Sequence, residues 1–172
     1  MVSIRFEVLN SRHDRAGFTS GVDALDQWFR TRASQDQRRH VAQVFVAIDD
    51  SEKVVGFYSL SMFTLALEGL PAELAKKLPR YDAIPAALIG RLARAEHAKG
   101  TGLGGLLLAD AIKRVLAATE SIAAYAIVVD AKDASGQRFY ESHGFVPLPS
   151  RQERMFLLTA TAAAAVKAAS SK

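Results

Sequence analysis

The chain has no cysteine, which excludes thiol nucleophiles, disulfides and cysteine-ligated metal centres. Long apolar runs are missing too. No stretch approaches the roughly 20 residues that a membrane-spanning helix needs, and the opening Met1–Glu7 has no uninterrupted apolar core of a secretory leader. No sign of charge dominates: 22 Lys and Arg stand against 18 Asp and Glu, a net charge of +4. That bias permits a polyanionic partner without requiring one. Two phosphate-binding signatures are also absent. No Gly-Lys-Ser/Thr closes a nucleotide loop, and no correctly spaced glycine triplet is followed by an acidic residue about twenty positions on. What remains is an ordinary globular balance, 49% apolar and 23% charged over 172 residues. This predicts one domain over residues 1–160, a cytoplasmic location, and an alanine-rich tail over 161–172 that is frayed or disordered.

The most informative stretch runs from Ala87 to Leu108. It reads as an apolar strand, a short polar loop, the glycine-rich turn Lys99-Gly100-Thr101-Gly102-Leu103-Gly104-Gly105, and a helix of more than four turns. Glycines in such a turn admit positive φ and leave room for a ligand beside the backbone. The amides of the turn then converge at the positive end of a helix dipole, where a phosphate or pyrophosphate is the natural guest.

Before that stretch, Ile4–Leu9 alternates as a strand, and a helix is expected from Ser20 as N-cap to Gln37–His40. Its apolar face is Val22, Leu25, Phe29 and Ala33, with Trp28 beside it. Val41–Ile48 and Val54–Met62 flank a polar turn as a hairpin. Pro71–Leu78 suggests a short helix, and Pro79 and Pro85 bracket extended chain. After the central helix, on which Asp110 and Arg114 are placed outside the core, Ile122–Val129 is a strand covered on both faces. Asp133–Gly144 is a helix stopped by glycine, and Phe145–Leu148 and Arg154–Leu158 are strands.

Two motifs carry a resemblance. Lys99-Gly100-Thr101-Gly102-Leu103-Gly104 is similar to the Gln/Arg-x-x-Gly-x-Gly/Ala signature of the GNAT N-acetyltransferases, with lysine at the first position. Arg138-Phe139-Tyr140-Glu141-Ser142-His143-Gly144-Phe145 resembles that superfamily's Phe-Tyr-x-x-x-Gly-Phe. The resemblance implies an α/β fold with a mixed, mostly antiparallel central sheet flanked by helices on both faces. It also implies acetyl-CoA as co-substrate, held by Leu92, Ala93, Arg94, Lys99, Gly100, Thr101, Gly102, Leu103, Gly104, Gly105 and Phe139. Tyr140 is then the catalytic acid that protonates the departing thiolate, because a phenol with a pKa near 10 is still protonated at neutral pH. No metal is required. No general base stands out, and the pairs His13-Asp14 and Glu96-His97 read as structural or solvated.

Leu25–Phe29, Phe57–Ser61, Ile89–Ala93 and Arg138–Tyr140 narrow the resemblance to the GNAT toxins of bacterial type II toxin–antitoxin modules. It implies acetylation of the α-amine of aminoacyl-tRNA, a ribbon-helix-helix antitoxin and a homodimer. Arg32, Arg38, Arg39, Lys76, Lys77, Arg80 and Arg91 are then expected to meet tRNA phosphate. The alternative is an acetyltransferase acting on a small-molecule or protein amine.

Overall fold

A computed structural model of the chain describes residues 2–171. Its strands are β1 (Arg5–Val8), β2 (Gln43–Ile48), β3 (Val54–Ala66), β4 (Ala83–Arg94), β5 (Ala126–Asp130), β6 (Val146–Leu148) and β7 (Arg151–Leu158). The helices are α1 (Asp23–Thr31), α2 (Ala33–Arg38), α3 (Ala72–Ala75), α4 (Leu103–Ala118), α5 (Ala134–Ser142) and α6 (Thr159–Ser170). The strands hydrogen-bond in the order β1-β2-β3-β4-β5-β7-β6. The β1–β2, β2–β3, β5–β7 and β6–β7 pairs are antiparallel, whereas β4–β5 is parallel. This is the mixed, mostly antiparallel α/β sheet with helices that the sequence predicts.

The chain divides into two compact units. One consists of the residues up to Ser61 together with Gly90–Ala111. Its core gathers Phe18, Trp28, Phe29 and Phe57, whose rings stack face to face or edge to face. Aromatic surface of this size dominates core energetics. Gly56 belongs to the same core for a steric reason. A Cβ there would lie 2.8 Å from Leu107 Cδ1 and 3.1 Å from the Ala93 carbonyl oxygen. The missing side chain is what lets α4 and the end of β4 approach β3 so closely.

The second unit consists of Met62–Ile89 and the residues from Ile112 onward. Leu65, Leu70, Ile84, Ala86, Ala126, Val128, Leu148 and Phe156 form its buried cluster. The parallel pair runs from Ala86 opposite Ala126 to Ile89 opposite Val129. Ala126–Val129 are fully buried, as a strand covered on both faces must be.

Several local expectations need correction. The first helix does not begin with Ser20 as its cap; Val22 holds that position and makes no side-chain cap bond. Ser20 turns toward Asp26 instead, giving that carboxylate both its backbone N–H at 2.9 Å and its hydroxyl at 2.6 Å. Nor does one helix run through to His40. The chain breaks at Arg32 (φ −122°, ψ −23°), and the Phe29 carbonyl beside the break accepts the Arg15 guanidinium at 2.8 Å. Ile122 is exposed and still hydrogen-bonds back to Ala118, so β5 starts four residues later than the apolar run suggests. Asp110 does not stand clear of the core, because its carboxylate accepts the hydroxyl of buried Tyr58. The alanine-rich tail is helical over Thr159–Ser170, where Ala162 is buried and Thr159 Oγ1 donates to the Ala124 carbonyl at 2.7 Å.

Candidate active site

The glycine-rich turn lies in the first unit. Strand β4 ends at Arg94, and the Ala95 N–H donates to the Val55 carbonyl at 2.7 Å. A single 3-10 turn, Glu96–Ala98, follows. The Glu96 N–H donates to the Thr19 carbonyl at 2.8 Å, so the loop is tied to the segment before α1. Lys99 leaves this turn extended, and Gly100 (φ +81°) and Gly102 (φ +84°) then carry the chain through left-handed conformations. Any side chain is strained there. A Cβ at either position would meet nothing within 4 Å. The requirement for glycine is therefore conformational, and the face beside the turn is open.

Thr101 Oγ1 and N–H both donate to the Ala98 carbonyl, at 2.5 and 3.2 Å, which pins the turn from within. Helical pairing starts when the Leu106 N–H donates to the Gly102 carbonyl at 3.2 Å. The amides of Leu103, Gly104 and Gly105 precede that ladder at the positive end of a 16-residue helix. Leu103 is buried and anchors the helix start, while Lys99, Gly100, Thr101 and Gly102 are exposed. Of the strand residues expected to join this site, Ala93 is buried and Leu92 and Arg94 are half-buried.

Tyr140 lies in the second unit, in the last turns of α5. Asp133 caps that helix, its carboxylate accepting the Gly136 N–H at 2.8 Å. Gly144 (φ +92°) ends the turn beyond it. The Tyr140 ring meets Phe139 and Phe145 edge to face, at 5.1 and 5.6 Å. The residue is only 9% exposed. Burial, reinforced by the negative charge of Asp130, pushes its phenol pKa up to about 12. Among the described residues nothing hydrogen-bonds the Tyr140 hydroxyl, so its proton is available to an incoming group.

Asp130 is held in turn by Arg154, with two parallel bonds of 2.8 and 2.9 Å. The guanidinium keeps the Asp130 carboxyl below its ordinary pKa despite partial burial. The other face of Arg154 covers the Phe63 ring at 4.7 Å. Neither Asp130 nor Arg154 is singled out by the sequence. They lie 24 residues apart and meet because β5 and β7 place them opposite each other.

The basic residues expected to meet tRNA are divided between the two units. Arg91 and Arg32 come together in the first unit, where Arg91 stacks over the Trp28 indole at 4.0 Å. Burial, opposed by nearby Asp36 and reinforced by the like charge of Arg32, lowers the Arg91 pKa. Trp28 is fixed by its own Nε1–H, which donates to Asp36 at 2.9 Å. Arg38 and Arg39 are exposed at the end of α2. Lys76, Lys77 and Arg80 are exposed in the second unit, between α3 and β4. Of the pairs without an assigned task, His13 takes the Asn10 N–H on Nδ1 and faces Glu7 through Nε2 at 3.1 Å, while His97 is exposed. Among the described residues no group of His, Asp and Glu is arranged to hold a metal ion.

Residues 40–147 match the acetyltransferase (GNAT) domain family. A probable toxin TacT of Sinorhizobium fredii is 32% identical over 159 residues, covering 88% of both chains. A tRNA-acetylating toxin of Mycobacterium tuberculosis is 33% identical over 158 residues, covering 92% of this chain and 93% of its own. Among solved structures, AtaT complexed with acetyl-methionyl-tRNAfMet superposes with a TM-score of 0.85 at 26% identity, over 91% of this chain and 95% of that one. AtaTR bound with acetyl-CoA superposes with a TM-score of 0.83 at 26% identity, over 95% and 98% of the two chains.

Proposed function

The chain belongs to the GNAT acetyltransferases, and from that premise we propose that it is the toxin of a type II toxin–antitoxin pair, transferring acetyl from acetyl-CoA to the α-amino group of aminoacyl-tRNA and so blocking translation. The observation that carries the reading is the likeness, over nearly the whole chain, to a tRNA-acetylating toxin.

Acetyl-CoA supplies an activated thioester, and the residues of this chain bind and orient it. The exposed 99–102 turn and the amides of Leu103, Gly104 and Gly105 suit the pyrophosphate, with Lys99 adding a positive charge. The Leu92–Arg94 stretch supplies backbone donors to the thioester carbonyl, and Phe139 packs beside the donor. Tyr140 is the proton donor to the sulfur. Its raised pKa means that it holds the proton at every physiological pH. The acceptor needs no strong base, since an α-amine with a pKa of about 7.7–8.0 is substantially deprotonated near neutrality. Arg32, Arg38, Arg39, Lys76, Lys77, Arg80 and Arg91 are assigned to tRNA phosphate.

An antitoxin partner follows from the toxin reading, and we assign it to the ribbon-helix-helix class. The active form is a homodimer, and the enzyme works in the cytoplasm, where charged tRNA is found. No helix among the described residues is long and apolar enough to cross a membrane.

The test incubates the protein with labelled acetyl-CoA and charged total tRNA, beside deacylated tRNA and a panel of small amines and peptides. Label is expected on charged tRNA alone, and Tyr140→Phe is expected to lower turnover about 10²-fold or more without weakening acetyl-CoA binding. Label confined to small amines or peptides would refute the tRNA substrate. Full turnover in the Phe variant would remove Tyr140 from the chemistry.

A further inference from the structure

Within the first unit, an open cleft of about 500 Å³ is lined by Ser11, Arg12, His13, Asp14, Arg15 and Ala16 of the loop after β1, and by Arg30 of α1. None of its three arginines belongs to the sites described above. Two are anchored by backbone rather than by acid. Arg15 Nη1 donates to the Phe29 carbonyl at 2.8 Å, and Arg30 Nη2 donates to the Phe18 carbonyl at 2.5 Å. A carbonyl orients a guanidinium without cancelling its charge.

Among the described residues no carboxylate lies within ion-pairing distance of Arg12, Arg15 or Arg30, although Arg30 is near enough to Asp26 to help lower that group's pKa. The one acid lining the cleft, Asp14, accepts the Ala16 N–H at 3.0 Å. His13 is committed on both ring nitrogens, to the Asn10 N–H and to Glu7. The cleft therefore presents three guanidiniums against one carboxylate, two of them already oriented. Orienting the donors in the fold lowers the entropy cost of binding, and the guanidinium fork matches phosphate oxygens two at a time.

We propose that this Arg12–Arg15–Arg30 cleft is a phosphate-binding subsite that grips the sugar–phosphate backbone of the tRNA substrate. The proposal rests on the tRNA reading above and adds to it contacts outside the acetyl-transfer chemistry and outside the Arg32–Arg91 cluster. Such contacts strengthen binding of every tRNA alike and carry no base specificity. They also make binding depend on salt through counterion release.

The experiment measures binding of deacylated tRNA by fluorescence anisotropy from 50 to 300 mM salt. It compares wild type with Arg12→Glu and Arg30→Gln, and measures acetyl-CoA affinity and antitoxin neutralisation in parallel. Arg12 is exposed, so its replacement leaves the core intact. Each variant is expected to flatten the plot of log affinity against log salt by about 0.7–0.9 for every phosphate it no longer neutralises. Acetyl-CoA affinity should not change. Because binding is read without turnover, a wild type that bound tRNA through this cleft but acetylated another amine would refute the tRNA substrate and leave the subsite standing. An unchanged slope in both variants would overturn the subsite. A loss of acetyl-CoA affinity at unchanged slope would overturn it in favour of a phosphate of CoA, and a loss confined to neutralisation would overturn it in favour of an antitoxin contact.

Discussion

Replacing Tyr140 by phenylalanine has a consequence for stability that can be read apart from catalysis. In the folded chain the phenol titrates at about 12, against about 10 in an unfolded one. A group that holds its proton more tightly when folded makes stability fall with pH between the two values. Its contribution is fully present below pH 10 and is lost as the pH rises through 12. A two-unit difference at 1.36 kcal/mol per unit amounts to about 2.7 kcal/mol. The Phe variant keeps the ring packing against Phe139 and Phe145 but has no proton to lose. Denaturant unfolding of both proteins from pH 8 to 12 isolates this contribution, because every other tyrosine, lysine and arginine titrates in both. The wild type should lose about 2.3 kcal/mol more than the variant across that range, since the folded phenol is itself half ionised at its upper end. Parallel curves would mean that the phenol is not held protonated by burial. A protonated Tyr140 also predicts that the rate of acetyl transfer rises with deprotonation of the acceptor amine and shows no alkaline fall below about pH 11.

Two further outcomes follow from packing in the first unit. Gly56→Ala places a methyl group 2.8 Å from Leu107 Cδ1 and 3.1 Å from the Ala93 carbonyl oxygen, and Leu107 is fully buried. Overpacking of this kind costs about 1–3 kcal/mol, which the midpoint of urea unfolding will show. Asp26 is 4% exposed and accepts bonds from the Ser20 N–H, the Ser20 hydroxyl and the Thr19 hydroxyl. Burial disfavours its charge, but these donors and nearby Arg30 prevail and lower its pKa. Asp26→Ala leaves those donors unpaired at a cost of about 3 kcal/mol. The loss should be smaller at acid pH, because a carboxylate with a depressed pKa stabilises the fold above its unfolded value and ceases to do so as pH falls through the folded one.

The sequence by itself determined whatever is written in consecutive residues. Strand β4, the turn through Gly100 and Gly102 and helix α4 are legible because the apolar period changes across a run of glycines, and the backbone there needs the positive φ that only glycine adopts cheaply. Asp133 to Gly144 is legible for the same reason, with a capping acid at one end and a left-handed glycine at the other. Local rules misplaced Ser20 because the helix starts later, at Asp23. The Ser20 oxygen accepts the Val22 N–H at 3.2 Å, short of the first turn, while its hydroxyl donates to the buried Asp26 carboxylate six residues on. Tertiary structure alone decided the rest. Asp130 meets Arg154 through strand register, Arg91 meets Trp28 by stacking, and Arg12, Arg15 and Arg30 share a cleft because two backbone carbonyls aim their side chains. A pKa of about 12 at Tyr140 belongs to this second group, since it depends on burial and on a charge ten residues away in sequence. Spacing along the chain carries no record of such encounters, because they form only when the sheet brings distant segments together.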